Sequence, residues 1–158
     1  VKALFMDISL FDTCMGQMAV GALDGAIARL WLPGTSMPSP TFASPLLDRA
    51  QTELLEYLDG ERREFDLPLA PQGTSFQRRV WEALETIPWG QTRSYREIAS
   101  AVGSPKGFRA VGMANHRNPI PILIPCHRVV GTDGSLTGYA GGLELKRRLL
   151  SLEGISLP

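Results

Sequence analysis

Cys126, His127 and Arg128 follow Pro125 directly, and this run carries the most reactive side-chain chemistry in the chain. A thiolate is soft, polarisable and strongly nucleophilic, which suits in-line attack on an alkyl carbon. An imidazolium or guanidinium nearby lowers a cysteine pKa from roughly 8.5 towards neutrality, so a raised thiolate fraction is expected at Cys126. The competing reading is that Cys126, at the end of the apolar run Ile120–Pro125, is a small buried hydrophobe. Neighbouring residues in a plain strand point to opposite faces, so His127 can serve the thiol only through a bent loop or a bridging water. A carboxylate would fix the tautomer of His127, and Glu153 near the end of the last helical segment is a candidate; on its own pattern it reads as an ordinary surface residue at a helix end.

Only one other cysteine, Cys14, is present, so free thiols are expected rather than a disulfide framework. The two histidines, His116 and His127, complete no zinc-ligand spacing, and neither a metal nor a cofactor is expected. No apolar run approaches membrane-spanning length, and the first residues lack the basic-then-apolar pattern of a secretory signal, which makes the cytosol the expected location. The formal net charge is zero but unevenly spread: residues 1–70 hold five basic and ten acidic side chains, residues 71–158 eleven and six. A basic second half suits a phosphate backbone, although a charge imbalance of this size is also an ordinary solvated surface.

The elements that must position Cys126 fall into two segments, 1–70 and 71–158. In the first, apolar runs at Ala3–Ile8, Met18–Ala22 and Ala26–Leu32 are separated by Gly16 and by Asp24-Gly25, a hairpin signal, and are expected to be strands. Ser44-Pro45 opens a helix whose leucines recur at helical spacing up to Gly60. Pro68 and Pro71 mark the boundary. In the second segment Thr74 caps a helix carrying Phe76, Val80, Trp81 and Leu84. Ser94 caps another over Tyr95–Val102, with Glu97 at the capping-box position. Gly103-Ser104-Pro105 then turns the chain into a third helix, expected over Lys106–Asn115, so the spacing matches a helix-turn-helix unit. The glycines from Gly131 to Gly142 mark closely approached backbone, and Leu143–Leu152 returns to helix.

With Pro125-Cys126-His127-Arg128-Val129-Val130-Gly131 read together, the chain resembles the O6-alkylguanine-DNA alkyltransferase family, also called methylated-DNA–protein-cysteine methyltransferases. The likeness extends through Phe76–Trp81, Ile87–Gly90, Ser94-Tyr95, Arg109–Gly112, Asn115, Asn118-Pro119, Thr137–Gly142 and Leu149–Gly154. It covers residues 76–154, with a looser match before them.

The resemblance implies an α+β protein: a small ribonuclease-H-like α/β N-terminal domain over 1–70, then a mainly helical winged helix-turn-helix domain over 71–158. It implies single-turnover, irreversible transfer of the alkyl group of O6-alkylguanine in double-stranded DNA to Cys126, by a monomer that can bind DNA cooperatively. In this family the recognition helix enters the minor groove. By resemblance Cys126 is the acceptor, His127 its water-linked base and Glu153 the group that orients His127. Tyr95 contacts the flipped guanine, and Asn118 ties the recognition helix to the active-site loop. Arg109 is the finger that fills the base stack, with Ser94, Ala110 and Gly112 at the DNA. Val129, Tyr139, Ala140 and Gly141 line the pocket. Two other readings compete: a winged-helix regulator that only senses damage, and a Cys-His-Glu hydrolase, which the adjacency of Cys126 and His127 disfavours.

Overall fold

The structure, a computed structural model, describes residues 5–157. The chain divides into two compact units, Val1–Pro71 and Gln72–Pro158.

The first unit is an antiparallel sheet in the order β1 (Asp7–Thr13), β2 (Gly16–Leu23), β3 (Ala26–Trp31), with one helix, α1 (Pro45–Leu58). Asp24 and Gly25 both take positive φ, 50° and 79°, the conformation that a two-residue hairpin of matching twist requires. Ser44 accepts from the Leu47 amide with Pro45 at the first helical position, as the sequence predicts. Met18, Val20, Ile27, Leu30, Leu47, Leu54 and Tyr57 form the buried interior. The expected strand over Ala3–Ile8 is not where the first strand lies. Residues 1–4 fall outside the described residues, Phe5 is exposed, and β1 begins at Asp7. Pairing with β2 sets this register, Thr13 opposite Gly16 and Phe11 opposite Met18, and a half-exposed edge strand leaves no continuous apolar run to mark it.

The second unit contains α2 (Ser75–Glu85), α3 (Tyr95–Ala101), α4 (Phe108–His116) and α5 (Leu143–Leu152). A short parallel pair joins β4 (Arg93–Ser94) to β5 (Val129–Val130). Capping boxes at Thr74/Gln77 and Ser94/Glu97 start α2 and α3, each closing two otherwise orphaned amides. The helix expected over Lys106–Asn115 begins two residues later, because Gly107 serves as its N-cap after Pro105. Trp81 is fully buried and its indole N–H donates to the Ala114 carbonyl at 2.8 Å, anchoring the end of α4 on α2. With Val80, Leu84, Ile98, Val111, Ile120, Ile124, Leu149 and Leu150 it makes the core beneath the cysteine. Helices and small sheets in one chain make the fold mixed α and β.

Candidate active site

Cys126 opens a single 3₁₀ turn, Cys126–Arg128, wedged between the proline-bounded run Ile120–Pro125 and β5. Ile122 takes φ 71°, a left-handed conformation unusual for a β-branched residue, where the chain folds back on itself before the cysteine. Two asparagines hold this loop. Asn118 donates from Nδ2 to the Ile124 carbonyl at 2.8 Å and accepts from the Ile120 amide at 2.9 Å. Asn115, on the buried side of α4, donates from Nδ2 to the Cys126 carbonyl at 3.3 Å.

The 3₁₀ turn sends His127 and Arg128 inward onto one carboxylate. His127 Nε2 lies 2.7 Å from Glu153 Oε2, and Arg128 reaches both oxygens, Nε to Oε1 at 2.8 Å and Nη2 to Oε2 at 3.0 Å. The Gly90 amide donates to Oε1 at 3.2 Å, and Arg128 Nη1 donates to the Ile87 carbonyl at 2.7 Å. The positive charge that balances Glu153 is thus Arg128. Burial holds the His127 pKa below its ordinary value against the opposing pull of Glu153, with Arg128 and Lys146 adding to the depression, so the ring is neutral at pH 7. Its Nε2–H then donates to Glu153, and the remaining ring nitrogen, Nδ1, is the basic atom.

The expectation of a lowered Cys126 pKa is overturned. The thiol is buried, 4% exposed, and burial pushes its pKa up to about 11, outweighing hydrogen bonding from Asn118 and the charge of Lys146. Arg128 does not serve the thiol because it is committed to Glu153 and Ile87. The cation that acts electrostatically on the thiol is Lys146, buried in α5, whose Nζ donates to the carbonyls of Val129 at 2.7 Å and Thr137 at 2.9 Å. Burial draws the Lys146 ammonium down to about 8, and Cys126 opposes that shift. The resting pair is a neutral thiol and, at pH 7, a predominantly charged ammonium.

A cavity of about 490 Å³ opens on the exposed face of α4. Its walls come from Tyr95 and Arg96 of α3, Phe108, Arg109, Gly112 and His116 of α4, and Gly131, Thr132, Thr137 and Gly138 of the following loop. The Arg96 guanidinium stacks 4.7 Å from the Phe108 ring, and Thr137 Oγ1 donates to the Tyr95 hydroxyl at 2.7 Å. An added Cβ at Gly112 would find only Tyr95 Cδ1, at 4.0 Å, so this mid-helix glycine is not required by packing. It leaves the cavity open.

Residues 75–155 match the family described as 6-O-methylguanine DNA methyltransferase, DNA binding domain. The chain belongs to this family. It is 47% identical over 154 residues to the constitutive methylated-DNA–protein-cysteine methyltransferase of Bacillus subtilis, covering 92% of this chain and 93% of that one. It is 46% identical over 151 residues to the methylated-DNA–protein-cysteine methyltransferase of Mycobacterium tuberculosis, covering 93% and 92%. The crystal structure of Mycobacterium tuberculosis OGT in complex with DNA superposes with a TM-score of 0.86 at 45% identity, over 93% of this chain and 92% of that chain.

Within this methyltransferase fold the residues singled out from sequence separate into groups. Cys126, His127, Glu153 and Asn118 are all buried: His127 meets Glu153, and Asn118 holds the loop before Cys126 and hydrogen-bonds its thiol. Tyr95, Arg109 and Gly112 line the cavity, and Ala110 is exposed on the same helix. Ser94 is buried, with Oγ accepting from the Glu97 amide as the cap of α3. Val129, Tyr139, Ala140 and Gly141 do not line this cavity. Val129 and Tyr139 are buried, Ala140 is exposed, and the loop wall of this cavity is formed by Gly131, Thr132, Thr137 and Gly138. The Cys126 and Val129 carbonyls each hold a donor already, Asn115 and Lys146, and keep a second lone pair. Sequence reasoning missed Lys146 and the clamp made by Arg128. A basic run near a helix end reads as solvated surface, and only the helical phase of Lys146 beside Leu145, Leu149 and Leu150 signals that it faces inward.

Proposed function

We propose that this chain is a single-use DNA repair protein that moves the alkyl group of O6-alkylguanine in double-stranded DNA onto Sγ of Cys126. The carrying observation is a buried cysteine directly followed by a neutral histidine held on a carboxylate that Arg128 already balances, while Tyr95, on which the charge of Cys126 acts, lines an open, helix-lined cavity. The Mycobacterium tuberculosis relative has been seen in complex with DNA, which supports the same partner here.

In this reading Arg109, exposed on α4, fills the stack as the damaged nucleotide rotates out, and the basic second unit supplies backbone contacts indifferent to sequence. The flipped base enters between Tyr95 and the 131–138 loop. The Cys126 thiol passes its proton, through a water, to His127 Nδ1. Glu153 stabilises the imidazolium so formed, since the carboxylate 2.7 Å from Nε2 gains a full charge partner. The thiolate attacks the alkyl carbon in line, the S–C bond forms, and the C–O6 bond breaks with its electron pair returning to the purine. Tyr95 hydrogen-bonds the departing base as its charge grows, and one proton taken up at the ring restores guanine. The thioether has no route back to a thiol, so each chain reacts once. Metal and cofactor play no part.

The same reading assigns a ribonuclease-H-like domain to 1–70 and a winged helix-turn-helix domain to 71–158. Support comes from the three-stranded sheet with its single helix, and from α3 and α4 joined by a tight turn at 102–107. Among the described residues no helix is long and apolar enough to cross a membrane. A monomer acting in the cytosol fits this task.

The test is intact mass after incubation with duplex DNA carrying O6-methylguanine. One methyl group per chain, mapped to Cys126 and lost in Cys126→Ala, is the expected result; continued turnover, or methylation of the variant, refutes it.

A further inference from the structure

Tyr95 is half-buried in the cavity wall, and its hydroxyl is not left to choose its own direction. Thr137 Oγ1 donates to it at 2.7 Å across the mouth between α3 and the loop. A phenol oxygen that accepts from a neighbour keeps its own proton for a different acceptor. Thr137 is itself held in place, because its carbonyl accepts from Lys146 Nζ at 2.9 Å, and the same ammonium holds the Val129 carbonyl, three residues after the nucleophile. The loop that carries Thr137 is therefore clamped from below by a buried cation and linked from above to Tyr95. The Thr137 side chain is exposed, so its packing asks for no particular residue there, and the hydroxyl contact is what its chemistry supplies. Burial raises the Tyr95 pKa, with the charge of Cys126 adding to the rise, and hydrogen bonding first from Thr137 and then from Asn115 works against it, which makes the phenol a better donor than burial alone would leave it.

We propose that Thr137 is a positioning residue for alkyl transfer, whose hydroxyl turns the Tyr95 O–H proton into the cavity, towards the purine atom that gains charge as the alkyl group leaves. This rests on the role given to Tyr95 above.

Single-turnover transfer at saturating O6-methylguanine duplex, with DNA affinity measured separately, tests it. Thr137→Val keeps the shape and removes the hydroxyl; it is expected to lower the saturating rate about three- to tenfold, the worth of one hydrogen bond, and to leave DNA affinity unchanged. Thr137→Ser restores the hydroxyl and is expected to react within about twofold of the wild type. In a Tyr95→Phe background the valine substitution should have no further effect, since the proton it positions is gone. A valine penalty that persists in that background, a serine variant as slow as the valine variant, or a wild-type rate in Thr137→Val overturns the proposal. Failure of the wild-type protein to take up any methyl group overturns the repair function itself, a separate outcome.

Discussion

His127 Nε2 lies 2.7 Å from Glu153 Oε2 at a point that solvent does not reach, and the same carboxylate carries the fork of Arg128. Glu153 therefore serves the fold and the chemistry at once. Glu153→Ala would strand a buried guanidinium and is expected to lower the unfolding free energy by about 3–5 kcal/mol in a urea titration. Replacing both partners, Arg128→Met with Glu153→Leu, should recover part of that stability yet leave alkyl transfer slow, because His127 has lost its orienting group. A double variant that transfers at the wild-type rate would show that the carboxylate is structural alone.

The depressed pKa of His127 carries a pH signature. Below the ordinary histidine value of 6.5, the unfolded chain takes up a proton that the buried ring refuses. The unfolded state then binds more protons, so stability falls as the pH drops below 6.5, by at most about 1.4 kcal/mol per pH unit for this one group. His127→Asn should flatten that part of the curve between pH 6.5 and 5. An unchanged slope would mean that His127 is protonated in the native protein.

The two cysteines should differ sharply towards reagents. Cys14 is exposed, whereas Cys126 is buried with its thiol pushed up to about 11. Iodoacetamide at neutral pH, followed by peptide mass mapping, is expected to label Cys14 first and Cys126 slowly. Preferential labelling of Cys126 in the protein without DNA would reverse the assignment of a neutral resting thiol.

Local signals in the sequence foretold much of this arrangement. Ser44-Pro45, Thr74 with Gln77 and Ser94 with Glu97 start helices where they stand, because a cap acts through bonds within four residues. The meeting of His127 with Glu153 was legible only through resemblance, since no short-range rule brings residues 26 positions apart to 2.7 Å. What misled was treating sequence neighbours as spatial ones. Arg128 stands two residues from Cys126 but turns to Glu153, while Lys146, twenty residues on, is the cation coupled to the thiol. Ser94 caps α3 as its spacing to Glu97 predicts, another signal that acts within four residues. The start of β1 depends on pairing with β2, a nonlocal matter that its own composition does not encode.

Gly112 offers a separation of stability from activity. Its position inside α4 costs about 0.5–1 kcal/mol relative to alanine, and the nearest atom to an added Cβ is Tyr95 Cδ1 at 4.0 Å. Gly112→Ala should therefore raise the melting temperature. The methyl would project into the cavity wall, so transfer from duplex DNA should slow. Faster or equal transfer would show that the glycine leaves no space the base uses.

Arg109 should matter for reaching the base and not for the bond change. It is exposed on α4 and lines the cavity, so Arg109→Ala removes no buried contact and should leave thermal stability within about 0.5 kcal/mol of wild type. Extruding a paired base costs a few kcal/mol, part of which the inserted guanidinium offsets. Transfer from O6-methylguanine in duplex DNA should then fall at least tenfold, whereas transfer from the free alkylated base, which needs no extrusion, should be unchanged. The two substrates separate the alternatives: equal losses on both would place Arg109 in the chemical step, and equal retention would leave the finger role without support. Because Arg109 also adds a positive charge near the phosphates, the variant's DNA affinity should fall less steeply with salt, by about one unit in the slope of log K against log salt. Duplex transfer that falls only in proportion to this lost affinity, and recovers at saturating DNA, would make Arg109 a backbone contact and move the work of base extrusion to another residue of α4.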